Sequence, residues 1–222
     1  MAPEGADGAD GAEGRTHWQR WHDAYADPTS RLSQRLATVQ QRLREAFDAA
    51  PHGPVRLVSA CAGQAGDVVG ALAGHRRAAE VTGRLVELDP DNAEAARTAL
   101  AAAGLAGIHV VTRDAGRSDA YAGAVPADVV LLCGIFGNVS DADVETTVRH
   151  AAELCADGAT VLWTRHRDAP DLTSDIRGWF ADQGFAEVAF DSPDSGSWSV
   201  GTQRYDGSPQ PLVPGQTWFR FS

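Results

Sequence analysis

The pattern of apolar and polar positions changes character near residue 54. From Leu32 to Phe47, apolar residues recur at steps of three and four, which predicts an amphipathic helix that ends at Pro51. Beyond residue 54, short apolar runs alternate with helical segments. This alternation is typical of a parallel sheet covered by helices on both faces, so the chain is predicted to have a doubly wound α/β fold.

Six of the apolar runs are predicted to be strands that alternate with helices. They are VRLVS, GRLVELDP, GIHVVTRDAG, ADVVLLCG, ATVLWTRHR and FAEVAF. The later runs SWSVGTQRY and TWFRF are joined by a loop without a helix, which predicts an antiparallel hairpin at the C-terminal edge of the sheet.

The domain organisation follows from composition. Residues 1–14, MAPEGADGADGAEG, are predicted to be a disordered acidic tail, residues 15–53 an N-terminal helical lid or cap segment, and residues 54–222 one domain. An aromatic cluster precedes the helix, and two interpretations remain open: it anchors the helix by packing, or it covers a substrate. Its members are Trp18, Trp21, His22 and Tyr25.

Charge and residue usage exclude several classes of function. The formal net charge of −11 disfavours nucleic acid and anionic membranes as partners. All 19 basic residues are arginines, which excludes chemistry that depends on a lysine amine. Three cysteines without a CxxC pair indicate a reducing compartment, and no apolar run approaches the length of a membrane span, so a cytoplasmic protein is expected.

The stretch SACAGQAGD follows the first predicted strand and resembles a nucleotide-binding glycine loop. Small residues let the backbone approach a ligand closely, and the following helix presents free N–H groups. Asp67, however, places negative charge where a diphosphate would bind, which argues against a dinucleotide.

Acidic residues follow the next two strands. Glu87 ends the second strand, where a carboxylate can accept both hydrogen bonds of a ribose diol, and Asp89 lies two residues further. Asp114 follows the third strand with Ala115, where it can accept a hydrogen bond from the amine of adenine. These acids outline an adenosine without phosphate, as in S-adenosylmethionine.

Together, VRLVSACAGQAGD, GRLVELDPDNAEAAR, VVTRDAG and ADVVLLCGIFGNVSDADV resemble the class I S-adenosylmethionine-dependent methyltransferases, particularly small actinobacterial members. The resemblance implies a Rossmann-like, doubly wound, mostly parallel seven-stranded sheet with an antiparallel C-terminal edge hairpin. It also implies four groups of cofactor contacts. They are Ala60, Cys61, Ala62 and Gly63 for the methionine part, Glu87 with Leu88 or Asp89 for ribose, Asp114 and Ala115 for adenine, and Cys133, Gly134 and Phe136 facing the methyl group.

Two departures from the family pattern affect the first loop. Ser59 occupies the position where the family usually has an acid that receives the cofactor's ammonium, and Asp67 is the candidate to replace that acid. Cys61 and Ala65 replace glycines, so the loop must use negative φ there or bear strain.

The expected activity is methyl transfer to oxygen, nitrogen or carbon of a small molecule. His166, after the fifth strand, is the candidate general base or an exposed side chain, and Asn138 either orients a substrate or begins a helix. No residues have metal-ligand spacing. Two alternatives remain: an NAD(P)-binding oxidoreductase, since CAGQAG is one substitution from GxGxxG, and a non-catalytic S-adenosylmethionine-binding protein. The oligomeric state is left open.

Overall fold

A computed structural model describes residues 30–194 and 196–221. The tail and the aromatic cluster of Trp18, Trp21, His22 and Tyr25 lie outside the described residues, as does most of the segment that precedes the helix. Residues from Arg35 onward form one compact unit, and the preceding residues belong to another.

Five α-helices and seven strands make up the described secondary structure, besides short 3-10 turns. The helices are α1 (Arg31–Ala49), α2 (Gly66–Leu72), α3 (Pro90–Ala102), α4 (Asp141–His150) and α5 (Thr173–Asp182). The strands are β1 (Val55–Ala60), β2 (Val81–Glu87), β3 (Ile108–Thr112), β4 (Ala127–Leu132), β5 (Cys155–Arg165), β6 (Phe185–Asp191) and β7 (Ser199–Tyr205).

All seven strands form one sheet in the order β3-β2-β1-β4-β5-β7-β6. The first five strands are parallel, and β7 runs antiparallel between β5 and β6. This arrangement confirms the predicted fold class. Strand order reverses between β1 and β4, so the carboxyl ends of these two strands flank the crevice in which this type of sheet binds ligands.

Helix α1 is held to the sheet domain by its apolar face and by a buried arginine. Val39, Leu43 and Phe47 are buried, as the spacing of apolar residues predicts. The guanidinium of Arg77 donates to the carbonyl oxygens of Phe47, Ala50, Pro51 and Gly53 at 2.7–2.9 Å. It therefore satisfies carbonyl groups that the end of a helix and the following turn leave without partners.

The last residues do not form the predicted second strand of an edge hairpin. Residues 213–221, here called the C-terminal strap, cross to the other half of the sheet, where isolated bridges pair Thr217 with Arg117 and Phe221 with Val139. The connection from β3 to β4 contains only a 3-10 turn, Ser118–Tyr121. The strap packs on this turn, and the Trp218 ring stacks on Tyr121 with a centroid distance of 5.4 Å.

Two of the helices are short: α4 has ten residues and α2 has seven. The Ser140 side chain accepts the Asp143 N–H at 3.1 Å and caps α4. The helix ends at His150, however, and β5 begins at Cys155, because the chain after a 3-10 turn pairs with β4. Helix α2 ends at Leu72, and Gly74 with a φ of 69° follows it. No helix among the described residues is long and apolar enough to cross a membrane.

Candidate functional site

The loop after β1 is a tight turn with several left-handed residues. Cys61, Gly63 and Ala65 have φ values of 54°, 54° and 61°. The alternative of negative φ at Cys61 and Ala65 is therefore wrong, and these two residues adopt a conformation that costs about 1–2 kcal/mol for a residue with a side chain. Ala62 donates its N–H to the Val86 carbonyl at 3.0 Å, which holds the turn against the end of β2.

Glu87 links this loop to the end of β2. Its carboxylate accepts the Gly63 N–H at 2.7 Å and the Asp89 N–H at 2.9 Å, and the residue is 8% exposed. A carboxylate offers about four acceptor positions, so two backbone bonds leave capacity for a further pair of donors. Leu88, the next residue, is exposed.

Asp89 has a local structural task. Its Oδ1 accepts the N–H groups of Asp91 and Asn92, both at 2.9 Å, and so caps helix α3. Side-chain oxygen atoms at this position satisfy N–H groups that a helix start leaves unpaired. The geometry therefore favours Glu87 over Asp89 as the acid that faces a ligand.

Asp114 and Ala115 lie beside Glu87 and Cys61 at the same edge of the sheet. Asp114 Oδ1 accepts the Gly116 N–H at 2.8 Å, and Tyr121 donates its hydroxyl to the Ala115 carbonyl at 2.6 Å. Burial raises the pKa of the Cys61 thiol above its usual range, and the charges of Glu87 and Asp114 raise it further. The thiol is thus held neutral between two carboxylates that follow neighbouring strands.

Ser59 and Asp67 differ sharply in their surroundings. Ser59 is 1% exposed inside β1, between its partners Leu85 and Leu131, so no charge is present at this position. Asp67 lies in the first turn of α2, and its Oδ1 accepts the Val68 N–H at 2.8 Å. Burial raises the pKa of Asp67 to about 6.

The loop after β4 is fixed by several hydrogen bonds. Gly134, with a φ of 76°, donates its N–H to Thr164 Oγ1 at 2.9 Å, and Asn138 Nδ2 donates to the Gly134 carbonyl at 2.9 Å. Burial raises the pKa of the Cys133 thiol, and the charge of nearby Asp67 raises it further. Cys133, Gly134 and Asn138 therefore lie together on the side of the crevice opposite Cys61.

Phe136 does not line the open edge of this loop as expected. Its ring is fully buried and lies 6.0 Å from the Trp163 ring in the core. Its carbonyl oxygen, by contrast, accepts a hydrogen bond from the buried guanidinium of Arg165. The side chain thus anchors the loop, and the next two residues, Gly137 and Asn138, are exposed.

His166 lies against the same loop. A Cβ placed on Gly137 would come within 3.0 Å of His166 Cδ2, so the imidazole packs directly over this glycine. Its Nδ1 is 3.9 Å from Asp168 Oδ2, and the side chain is 38% exposed. The structure therefore brings His166 to the end of the sheet where Cys133 and Asn138 lie, in a position that a reactant can reach.

The sequence analysis did not predict that the C-terminal strap supports the turn that carries Asp114. Trp218 donates its backbone N–H to the Gly116 carbonyl at 2.8 Å, and the Arg117 guanidinium donates to Thr217 Oγ1 at 2.6 Å. These contacts hold the turn that carries Asp114. Because they join residues about 100 positions apart, no local pattern in the sequence indicates them.

Comparison with solved structures places this arrangement in a known fold. An O-methyltransferase family protein from Burkholderia thailandensis matches with a TM-score of 0.65 and 20% identity over 87% of this chain and 60% of that chain. Magnesium protoporphyrin IX methyltransferase from Synechocystis PCC 6803 with bound SAM matches with a TM-score of 0.64 and 14% identity over 86% and 91%. The chain has the class I methyltransferase fold.

A possible exported protein from Bordetella parapertussis also matches, with a TM-score of 0.61 and 13% identity over 79% of this chain and 68% of that chain. This chain spans only 60% of the length of the Burkholderia protein. No protein-family model and no curated protein matches the sequence. Among the described residues, no group of three or more His, Cys, Asp or Glu side chains is arranged to hold a metal ion.

Proposed function

We propose that this protein is an S-adenosylmethionine-dependent methyltransferase that acts on a small molecule in the cytoplasm. The observation that carries the proposal is the placement of Glu87, whose carboxylate bridges to the loop after β1 beside Asp114. The methyltransferase fold of the solved structures supports it. The net charge of −11 argues against a nucleic acid acceptor.

The chemistry of the donor set fits this cofactor. Glu87 has spare acceptor capacity for a ribose diol, and Asp114 is an exposed acceptor for an adenine amine. Asp67 at the start of α2 repels a diphosphate but attracts the ammonium of an amino acid. A cofactor that combines an adenosine with a cationic amino acid matches all three acids.

When bound, this cofactor supplies an electrophilic methyl group on a sulfonium. The left-handed turn at Cys61 and Gly63 lets the backbone approach the methionine part, and Glu87 fixes the ribose. Asn138 and His166 border the crevice from the β4 and β5 side, where they orient the acceptor. His166 also accepts the proton of a hydroxyl or amine acceptor. Positioning of the two reactants supplies most of the rate enhancement in such a displacement.

Calorimetric titration with S-adenosylmethionine, S-adenosylhomocysteine and NADH tests this proposal. We expect micromolar affinity for the two sulfur ligands and no binding of NADH. Binding of NADH alone would favour an oxidoreductase. Binding of the sulfur ligands, without methyl transfer to any acceptor in a broad panel of small nucleophiles, would favour a non-catalytic binding protein.

A further inference from the structure

A buried carboxylate lies at the end of the sheet opposite the crevice. Glu153, in the 3-10 turn that precedes β5, is 9% exposed. Its Oε1 lies 2.6 Å from His150 Nδ1, and its Oε2 accepts the Val213 N–H at 2.8 Å. A buried carboxylate is costly unless donors pair with it. Here the donors come from the last residue of α4 and from the first residue of the C-terminal strap, so Glu153 joins the strap to the helix.

Aromatic rings connect this pair to the middle of the strap. The His150 ring is nearly parallel to the Trp218 ring, with a centroid distance of 5.8 Å and an interplanar angle of 11°. The Trp218 ring is also stacked with Tyr121, at 5.4 Å and 9°. Trp218 and Tyr121 are fully enclosed in the core, and close packing there transmits a displacement of one side chain to its neighbours.

Trp218 and Tyr121 hold the turn after β3 at two points. The backbone N–H of Trp218 donates to the Gly116 carbonyl at 2.8 Å, and the Gly116 N–H donates to Asp114 Oδ1 at 2.8 Å. The Tyr121 hydroxyl donates to the Ala115 carbonyl at 2.6 Å. An unbroken series of contacts therefore runs from the buried pair to the Asp114 carboxylate.

We propose that Glu153 and His150 are positioning residues for the adenine of the cofactor. They act through Trp218, which holds the Asp114 carboxylate where it accepts the adenine amine. This inference rests on the proposed function, because that function places adenine beside Asp114. The connection from β3 to β4 contains only a 3-10 turn, so the strap takes the place of a helix that would brace this turn.

Two ligands that differ only at the adenine amine test the positioning role. S-inosylhomocysteine carries an oxygen atom where S-adenosylhomocysteine carries the amine. The amine donates to Asp114, whereas the oxygen atom can only face the carboxylate with a second acceptor. We expect the wild type to bind S-adenosylhomocysteine at least tenfold more tightly, since a hydrogen bond to a charged group has about this effect on affinity. This ratio of Kd values is called the adenine preference.

Glu153→Ala removes both acceptor atoms of the pair. The adenine preference should fall to about threefold or less, because the strap loses its anchor and Asp114 is no longer held in place. Glu153→Gln should keep the preference within about twofold of the wild type, since its amide can accept from Val213 and donate to His150. The matched control is Glu145→Ala, which removes an exposed acid of α4 that pairs with Arg149 and should leave the preference unchanged.

A spectroscopic signal reports the same coupling without a ligand. The indole N–H signal of Trp218, assigned by NMR through Trp218→Phe, should shift in Glu153→Ala and stay in place in Glu145→Ala. If Glu153→Ala does not fold, His150→Ala removes the stacked ring from a side chain that is 23% exposed and should lower the preference equally. Where both variants fold, the double variant should lose no more than either alone, because residues that act as a unit are not additive.

A folded Glu153→Ala protein with the wild-type preference would overturn the inference, even at a lower Tm, because a purely structural role lowers stability without changing the preference. Equal loss of affinity for both ligands would overturn it too. Failure of the proposed function gives a different result: the wild type itself then does not bind S-adenosylhomocysteine, and the positioning role fails with it.

Discussion

The carboxylate of Glu87 accepts the backbone N–H of Gly63 at 2.7 Å, which joins the end of β2 to the loop after β1. One side chain thus fixes the shape of the loop and presents the acceptor atoms expected to hold a ribose. The two roles can be separated with glutamine at position 87. Its amide oxygen can still accept the Gly63 N–H and keep the loop in shape, but it carries no negative charge to hold a ribose.

Replacement of Glu87 is expected to weaken cofactor binding. Glu87→Ala should raise the Kd for S-adenosylhomocysteine at least tenfold, since a hydrogen bond to a charged group contributes about 1.5–3 kcal/mol. The Kd of Glu87→Gln for the same ligand should lie between those of Glu87→Ala and the wild type. The control is Asp91→Ala, which removes an exposed acid four residues away. Calorimetry that shows wild-type affinity in Glu87→Ala would contradict the ribose role.

Asp67 should make the free protein less stable as pH rises. Its pKa is about 6 when folded and near 3.8 when unfolded, because burial disfavours the charged carboxylate. Between these values the folded protein retains a proton that the unfolded chain has released, so stability falls as pH rises from about 4 to 6 and is then level. Asp67→Asn should therefore be more stable than wild type at pH 7.5, by up to about 3 kcal/mol.

Urea unfolding at pH 4 and pH 7.5 measures this difference, which should nearly disappear at the lower pH. The same variant should bind S-adenosylmethionine several-fold more weakly at pH 7.5, because it lacks the carboxylate proposed to receive the ammonium. A variant with wild-type affinity would show that Asp67 does not replace the acid missing at Ser59.

Gly116→Ala should displace the C-terminal strap. A Cβ at this position would lie 2.2 Å from the Phe219 carbonyl oxygen, so either the strap or the Asp114 turn must move. We expect a loss of about 1–3 kcal/mol of stability and weaker binding of S-adenosylhomocysteine. Gly178→Ala is the matched control: nothing lies within 4 Å of its Cβ, and a helical alanine should stabilise the protein by about 0.5–1 kcal/mol. Thermal unfolding measures the Tm of both variants. Equal shifts in Tm for Gly116→Ala and Gly178→Ala would refute the close contact between Gly116 and the strap.

His166 should affect turnover without affecting cofactor affinity. With an acceptor that carries a hydroxyl or amine, His166→Gln is expected to lower kcat at least tenfold, because a positioned base contributes about 10²–10⁴-fold. The Kd for S-adenosylhomocysteine should stay within twofold. His109→Gln, an exposed histidine on β3, serves as the control. Unchanged kcat would assign His166 a packing role over Gly137.

Much of the fold could be predicted from the sequence because its signals are local. The spacing of Val39, Leu43 and Phe47 predicted the buried face of α1, and the apolar runs predicted the parallel strands. Glu87, the acid at the end of β2, could be assigned to the edge of the sheet because parallel strands end on the same side. Each of these inferences needs only a few neighbouring residues.

The features that the sequence did not predict depend on distant contacts or on backbone conformation. The composition of TWFRF is typical of a strand. Its isolated bridges to Arg117 and Val139, however, join residues that are distant in sequence, so they depend on how the whole chain folds. Positive φ at Cys61 and Ala65 is enforced by the surrounding turn, against the preference of both side chains. The full burial of the Phe136 ring likewise depends on Trp163, which lies on β5.

The strap has a consequence for folding during synthesis. The turn that carries Asp114 gains its partners Thr217 and Trp218 only after about 100 further residues have been translated, since Arg117 and Thr217 are 100 positions apart. At about 5–20 residues per second, this interval is roughly 5–20 s. A nascent chain can therefore pair β1, β2 and β3 well before the adenine side of the crevice takes its final shape, and ligand binding must follow emergence of the strap from the ribosome.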